Sequence, residues 1–287
     1  MKLCRFNQEQ LGVVKDDVVY DVSSVLDLLP SCRYPLPQKD LLIDNLAQLL
    51  VPIEQALRTA KSYPVADVHF LPPVANPGKI IGAPINYEAH IDESKQDAGI
   101  AHGRNVTSIG DWGLFLKAGS SLIGCSDEIV LRFSDRRNDH EVELGVVIGS
   151  VCKQVKAQDA MAHIAGYTVA LDMTLRGKEF QCFRKSIDTY SVVGPWMVTP
   201  DEIADPNQLD LWLKVNGAMR QQSNTRYLVY DIARLIEYAS SMYTLQPGDI
   251  IMTGTPAGVK PVEPGDVLQA GIEGVGEFSI RVHSAYA

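Results

Sequence analysis

The stretch Asn138-Asp139-His140-Glu141-Val142-Glu143-Leu144-Gly145-Val146-Val147-Ile148 sets an acidic head on an apolar strand. Side chains alternate faces along a strand, so Glu141 and Glu143 share one face while Val142 and Leu144 share the other. Two carboxylates side by side repel each other unless solvent, cations or a metal compensates. Oxygen donors of this kind suit a hard divalent cation such as Mg²⁺ or Mn²⁺. On E-x-E alone the better reading is a solvated strand face, because so short a motif has low specificity.

The surrounding chain has the same texture. Segments 79–83, 128–133, 166–171, 211–216, 249–252, 266–270 and 276–282 are short and rich in β-branched and apolar residues, with Gly, Pro and Asp between them. That is the pattern of a strand-rich fold with covering helices. The best helix there is 230–241, where Ile232, Leu235, Ile236 and Ala239 keep one face and Asp231 suits the helix start.

Residues 1–74 read as a small mixed α/β unit. Extended stretches at 2–6 and 18–22 flank a charged turn at Lys15-Asp16-Asp17. A helical region over 39–61 aligns Leu42, Leu46, Leu49, Leu50 and Ile53, with Pro52 expected to kink or split it. Prolines 64, 72, 73 and 77 then mark a domain entry. The expected division is 1–74 and 75–287.

Composition narrows the function. The 287 residues are 46% hydrophobic and 21% charged, enough for a real core. Thirty-five acids against 26 bases give a net charge of −9. That argues against a nucleic-acid binder and against an anionic membrane surface, but allows an anionic small substrate at a local cation. The five cysteines are scattered without C-x-x-C spacing, so neither a disulfide framework nor a zinc ribbon is expected, and a reducing cytoplasm fits. The opening MKLCRFNQEQ lacks the apolar run of a signal peptide, and no segment reaches the ~18 apolar residues of a membrane span.

Four further features have chemical potential. Asp172 ends an apolar strand, where an acid is either a turn residue or a third carboxylate beside the glutamates; spacing does not decide. Arg176 and the run Arg184-Lys185-Ser186 read as a charged loop on their own, or as a cationic arm for a substrate carboxylate. His90 and Glu93 share a helical face, either as an ordinary surface pair or as a base and its orienting partner. The polar segment 94–113 reads as a lid or a long surface loop. The turn Thr253-Gly254-Thr255-Pro256-Ala257-Gly258 is not a P-loop, since the Gly-Lys-Ser/Thr ending is absent.

Taken in order, 79–93 (KIIGAPINYEAHIDE), 114–124 (LFLKAGSSLIG), 138–149 (NDHEVELGVVIG), 166–176 (GYTVALDMTLR), 185–196 (KSIDTYSVVGPW) and 246–259 (QPGDIIMTGTPAGV) resemble the fumarylacetoacetate hydrolase superfamily. The resemblance implies a mixed α/β, β-rich fold: a small N-terminal α/β domain, then a mixed β-sandwich roll. It implies metal ligands at Glu141, Glu143 and Asp172, holding Mg²⁺ or Mn²⁺, with Ca²⁺ also compatible. It implies a catalytic dyad at His90 and Glu93, an active-site Lys185, and substrate contacts at Arg176, Gly254 and Thr255. The implied reaction is hydrolysis of a C–C bond in a 2,4-dioxo acid by a cytoplasmic homodimer, with no nucleic-acid or membrane partner. Oxaloacetate-type decarboxylation, keto–enol isomerisation or hydration of aromatic-degradation intermediates, and metabolite binding without turnover are the alternatives on the same scaffold. The chain departs from the family pattern at 83–87, which reads Ala-Pro-Ile-Asn-Tyr. The Asp172–Lys185 spacing is short, Gln181 is only a candidate for a usual glutamine, and the long 93–114 segment suggests a different or larger substrate.

Overall fold

The computed structural model describes residues 1–103 and 105–285. The chain is strand-rich and mixed α/β, built among the described residues on two large sheets and a two-stranded ribbon of Asn138–Asp139 with Thr174–Leu175. Among the described residues the larger sheet has twelve strands. From Lys2–Phe6 to one edge it runs Ser191–Val198, Ile164–Asp172, Val142–Ile148, Ile250–Met252, Ile80–Gly82 and Phe115–Lys117. A five-stranded sheet of Ala218–Asn224, Asp210–Val215, Val267–Ile272, Gly276–Ser284 and Glu128–Leu131 packs against it.

Side-chain alternation divides the core. Val142, Leu144, Val146, Val169 and Leu171 enter the cluster between the sheets with Leu211, Leu213 and Leu268. Val147 and Ala170, of opposite parity, join Leu3, Val13, Leu46, Leu49 and Ile53 on the other face. All seven residues of Val142–Ile148 are buried, as a strand covered on both faces must be. Glu143 has the parity of Val147, and Asp172 that of Ala170. The acids therefore lie at the end of the face opposite the inter-sheet core.

The expected strands in the second half of the chain form within one or two residues of their expected bounds. The strand Ser191–Val198 was not expected, because Pro195 argues against a central position. Its pairing with Ile164–Asp172 shifts register between Tyr167 and Val169, opposite Gly194 and Val198, so Pro195 sits where the ladder is already irregular. Gln10–Lys15 was also missed, and it completes a meander with the two stretches beside it.

The helical region 39–61 divides at Asn45, not at Pro52, into Leu41–Asp44 and Leu46–Ala56. Asn45 leaves helical geometry, and its Nδ2 donates to Leu41 O at 2.8 Å. Pro52 stays inside the second helix, where burial of Leu49 and Ile53 on either side holds the turn together. Asp231 is the N-cap of Ile232–Met242, accepting from Arg234 N, and not a first-turn residue.

The sequence boundary near residue 74 is not a gap in hydrogen bonding. Lys2 and Leu3 pair with Val198 and Met197, so residues 1–74 continue the larger sheet. No helix among the described residues is long and apolar enough to cross a membrane. The five cysteines are unpaired.

Candidate active site

Strand register builds the acidic cluster. Val142 faces Leu171 and Glu143 faces Ala170, so the next pair outward sets Glu141 against Asp172. The Asp172 N–H donates to Glu141 O at 2.9 Å and closes that pair. Carboxylate oxygens of Glu141, Glu143 and Asp172 lie within 4.8 Å of one another, and all three residues are buried. The solvated-face reading of E-x-E therefore does not hold.

Buried cations surround these acids. Lys185, at the end of the short helix Gln181–Lys185, donates to Glu141 Oε2 and Asp172 Oδ2, both at 2.6 Å, and to Thr174 Oγ1 at 2.7 Å. Lys117 donates to Asp172 Oδ1 and to Tyr190 O. Arg176 reaches Glu141 Oε1 at 2.7 Å through one terminal nitrogen and Asp139 Oδ2 at 2.6 Å through Nε.

Environment separates the two glutamates. Burial works to raise the Glu141 carboxyl, but Lys185 and Arg176 outweigh it and hold it far below the ordinary range. Burial and the neighbouring Asp172 and Glu141 charges push Glu143 well above that range, with only partial relief from Lys185 and the Gly254 N–H. Burial lowers Lys117, whereas Asp172 and Glu141 overcome burial at Lys185 and keep it charged.

The Thr253–Gly258 turn closes one side. Gly254 adopts φ +102°, and a Cβ there would lie 2.7 Å from Asn86 Cβ, so only glycine brings this backbone so close. Its N–H donates to Glu143 Oε2 at 2.6 Å. The Thr255 hydroxyl gives its proton to Val142 O at 2.9 Å and accepts from Gln221 Nε2 at 2.8 Å. Gln221 is the fully buried residue of an otherwise largely exposed strand, and it uses its whole amide. Its Oε1 also accepts from Val142 N at 3.1 Å and pairs with His140 Nδ1 at 3.0 Å, and its Nε2 donates to Pro256 O at 2.8 Å. An amide oxygen only accepts, so His140 carries its proton on Nδ1.

The helix Glu88–Gln96 brings the dyad to the opposite wall. His90 Nδ1 pairs with Glu93 Oε2 at 2.9 Å, and the Gly258 N–H holds Glu93 Oε1 at 3.0 Å. Burial raises the Glu93 carboxyl, but its bonds to His90 and Gly258 prevail and lower it. The remaining nitrogen, Nε2, is left for chemistry. His90 is buried, which overturns the surface-pair reading.

Glu141, Glu143, His90, Arg176, Lys185 and Thr255 thus line one cavity of about 40 Å³, room for a few water molecules. Ile100, Val106 and Trp112 of the 94–113 segment cover it, so the described part of that segment is a wall of the site; Arg104 within it lies outside the described residues. Asp97 ties the segment down by accepting from Arg137 at 2.9 Å, and Arg137 in turn donates to Asp139 at 2.8 Å. Gln181 also lines the cavity.

Sequence reasoning missed Lys117, Asp139, Arg137 and Gln221. Lys117 was detectable: in Phe115–Lys117 it shares parity with a buried phenylalanine. Asp139 and Arg137 lay beside a marked motif with no periodicity of their own. Gln221 gave no signal, because its neighbours are polar and exposed.

This geometry defines a buried carboxylate–cation site with a His-Glu dyad, carried on a strand-rich roll. Residues 79–283 match the family described as fumarylacetoacetate (FAA) hydrolase C-terminal. The chain belongs to the fumarylacetoacetate hydrolase family. It is 50% identical over 286 residues to a maleylpyruvate hydrolase of Aquipseudomonas alcaligenes, covering 99% of this chain and 100% of that protein. A maleylpyruvate hydrolase from Sphingobium sp. SYK-6, solved with manganese (II) ion and pyruvate, is 40% identical with a TM-score of 0.84 over 99% of both chains. A 5-carboxymethyl-2-hydroxymuconate delta-isomerase structure from Mycobacterium smegmatis is 30% identical, with a TM-score of 0.73 over all of both chains. With so close a full-length relative, the chain is an enzyme of this family's hydrolase class.

Proposed function

We infer that this enzyme hydrolyses a carbon–carbon bond in a 2,4-dioxo acid of the acylpyruvate class, and that a maleylpyruvate-like compound is its substrate. The observation that carries this is a cavity lined by Glu141 and Glu143 of the three-carboxylate cluster, by His90, which Glu93 orients, and by the buried cations Arg176 and Lys185. The 50% identical maleylpyruvate hydrolase supports the substrate class.

Glu141, Glu143 and Asp172 would hold a divalent cation. The donor set fits: three buried carboxylates with oxygens within 4.8 Å of one another are the oxygen ligands that a hard divalent cation takes. Manganese is the first choice from the relative solved with that ion, and Mg²⁺ and Ca²⁺ suit the same oxygens. Such an ion supplies Lewis-acid polarisation of the oxo-acid oxygens and offsets enolate charge.

The protein groups account for the rest. His90, held by Glu93 through Nδ1, takes a proton from water at Nε2 as the water oxygen adds to the C4 carbonyl. The C3–C4 bond then breaks, leaving a carboxylic acid and the enolate of pyruvate, which is protonated at C3. Lys185 keeps positive charge beside that enolate. Arg176 fixes Glu141, the Gly254 N–H fixes Glu143, and the substrate's carboxylate end would lie against Arg176 and Thr255, which line the cavity. The 94–113 segment excludes bulk water.

The isomerase structure at 30% identity favours keto–enol isomerisation as the second reading. The test is ¹H NMR of an acylpyruvate panel and oxaloacetate with Mn²⁺. Pyruvate plus an acid from the acylpyruvates supports hydrolysis; an isomer without cleavage supports the second reading, and CO₂ release from oxaloacetate alone would make the enzyme a decarboxylase. Ligand binding without turnover would make it a metabolite-binding protein. We also take the enzyme as a cytoplasmic homodimer. The unpaired cysteines support a reducing compartment, and sedimentation measures the oligomeric state.

A further inference from the structure

Ile85 lies in the turn between the strand Ile80–Gly82 and the helix Glu88–Gln96. Its φ is +44°, and among the described residues it is the only aliphatic side chain in the left-handed region. A branched Cβ crowds the backbone there, and glycine or asparagine would hold the same turn at lower cost. Such strain persists only where the surroundings over-determine it. Asn86 supplies the clamp. Its Nδ2 donates to Tyr230 O at 2.9 Å and to Thr253 O at 2.8 Å, and its Oδ1 accepts from Tyr230 N at 2.7 Å. Its main-chain carbonyl accepts from Val229 N at 2.9 Å.

The core does not account for an isoleucine in that conformation. Ile85 is 7% exposed, yet it joins none of the three hydrophobic clusters of the described residues. It lines the active-site cavity instead, together with Ile100, Val106 and Trp112 of the 94–113 segment. The cavity thus has two kinds of lining, charged groups at the carboxylate cluster and apolar side chains here. Charged groups fix the orientation of a ligand, and apolar walls fit the shape of its carbon chain.

We propose that Ile85 is a specificity-determining residue, whose strained backbone is kept so that its branched side chain can press on the acyl group and exclude substrates branched at C5, the carbon beyond the C4 carbonyl. This rests on the acylpyruvate reading above. A glycine at this position would relieve the turn but leave that part of the wall open.

The test compares kcat/KM, with saturating Mn²⁺, for two acylpyruvates that differ by one methyl branch at C5. The wild type is expected to favour the unbranched compound by about 30-fold, the scale of one methyl group against an apolar wall. Ile85→Ala and Ile85→Gly both open the wall and lower that ratio about 10-fold. In EDTA, Ile85→Gly should melt about 2 °C above Ile85→Ala, the reverse of the usual order of these residues, because only glycine relieves the turn. An isoleucine that only fills space would lower Tm on truncation and leave the ratio fixed. Should neither variant fold, Ile85→Val decides: it keeps the strain, removes one methyl group from the wall and lowers the ratio about 3-fold. A wild-type ratio near one, a ratio unchanged in the variants, or Ile85→Gly melting below Ile85→Ala overturns the assignment and leaves the hydrolase reading standing. Turnover of neither substrate by the wild type overturns the hydrolase reading and the assignment with it.

Discussion

Glu143→Gln should stabilise the metal-free protein while abolishing its response to metal. Glu143 shares a buried site with Glu141 and Asp172, oxygens within 4.8 Å. Two like charges at that distance, with an effective dielectric constant of 20, repel by about 3 kcal/mol. Two such neighbours act on Glu143, and Lys185 offsets part of the sum. Glutamine keeps an oxygen for the Gly254 N–H and removes the charge. A net gain of about 2 kcal/mol follows, or about 4 °C in Tm for a chain of this size. The pH dependence has a definite sign. The folded-state carboxyl is raised, so the wild-type penalty is full above that raised pKa. It shrinks as falling pH protonates Glu143, and it vanishes below the unfolded value. The variant's advantage is therefore full above the raised pKa and declines as the pH falls towards the ordinary carboxylate range. Saturating Mn²⁺ should reverse the order, since ion at 100 times its Kd adds about 2.7 kcal/mol to the wild type. The assay is thermal unfolding of both proteins in EDTA and in Mn²⁺, at several pH values. A variant less stable than wild type in EDTA, or an advantage that grows on acidification, would refute the reasoning.

Gln221→Leu leaves Val142 N, Pro256 O and the Thr255 hydroxyl short of a partner in the interior. It should cost about 2–4 kcal/mol in unfolding free energy and raise KM more than it lowers kcat, as seen by denaturant titration and steady-state kinetics. Glu93→Gln removes the charge that orients His90 and should lower kcat by about 10²-fold with little change in Tm, measured by turnover and calorimetry. Asp97→Asn weakens a partly exposed tie to Arg137 worth under about 1 kcal/mol and leaves the Arg137–Asp139 pair in place. It should raise KM no more than about 5-fold and speed proteolysis within the 94–113 segment.

Beyond Asp172, Arg176, Lys185, Gly254 and Thr255, which the family resemblance supplied, the parts of the site visible in the sequence are those that strand periodicity or local spacing governs. Glu141 and Glu143 were placed on one face by alternation, and His90 with Glu93 by helical spacing. What alternation left open was burial: the same E-x-E pattern suits a wet face or a closed site. Burial was decided by residues far away in the chain, Lys117, Arg176 and Lys185, whose charges make the cluster tolerable. Asp172 became a neighbour of Glu141 only through strand register, which no local pattern encodes. Gln221 was invisible for the same reason. It comes from the smaller sheet, and its significance lies in four contacts to other elements. The strand Ser191–Val198 was hidden by Pro195, whose missing donor is harmless only where the ladder already slips.

The most direct test of hydrolysis is the isotopic composition of the products made from an acylpyruvate in H₂¹⁸O, with Mn²⁺ and with excess EDTA. The account predicts one ¹⁸O atom in the carboxyl group of the released acid per bond cleaved, and no cleavage in EDTA. Cleavage without ¹⁸O in that carboxyl group, or turnover undiminished by EDTA, would contradict it.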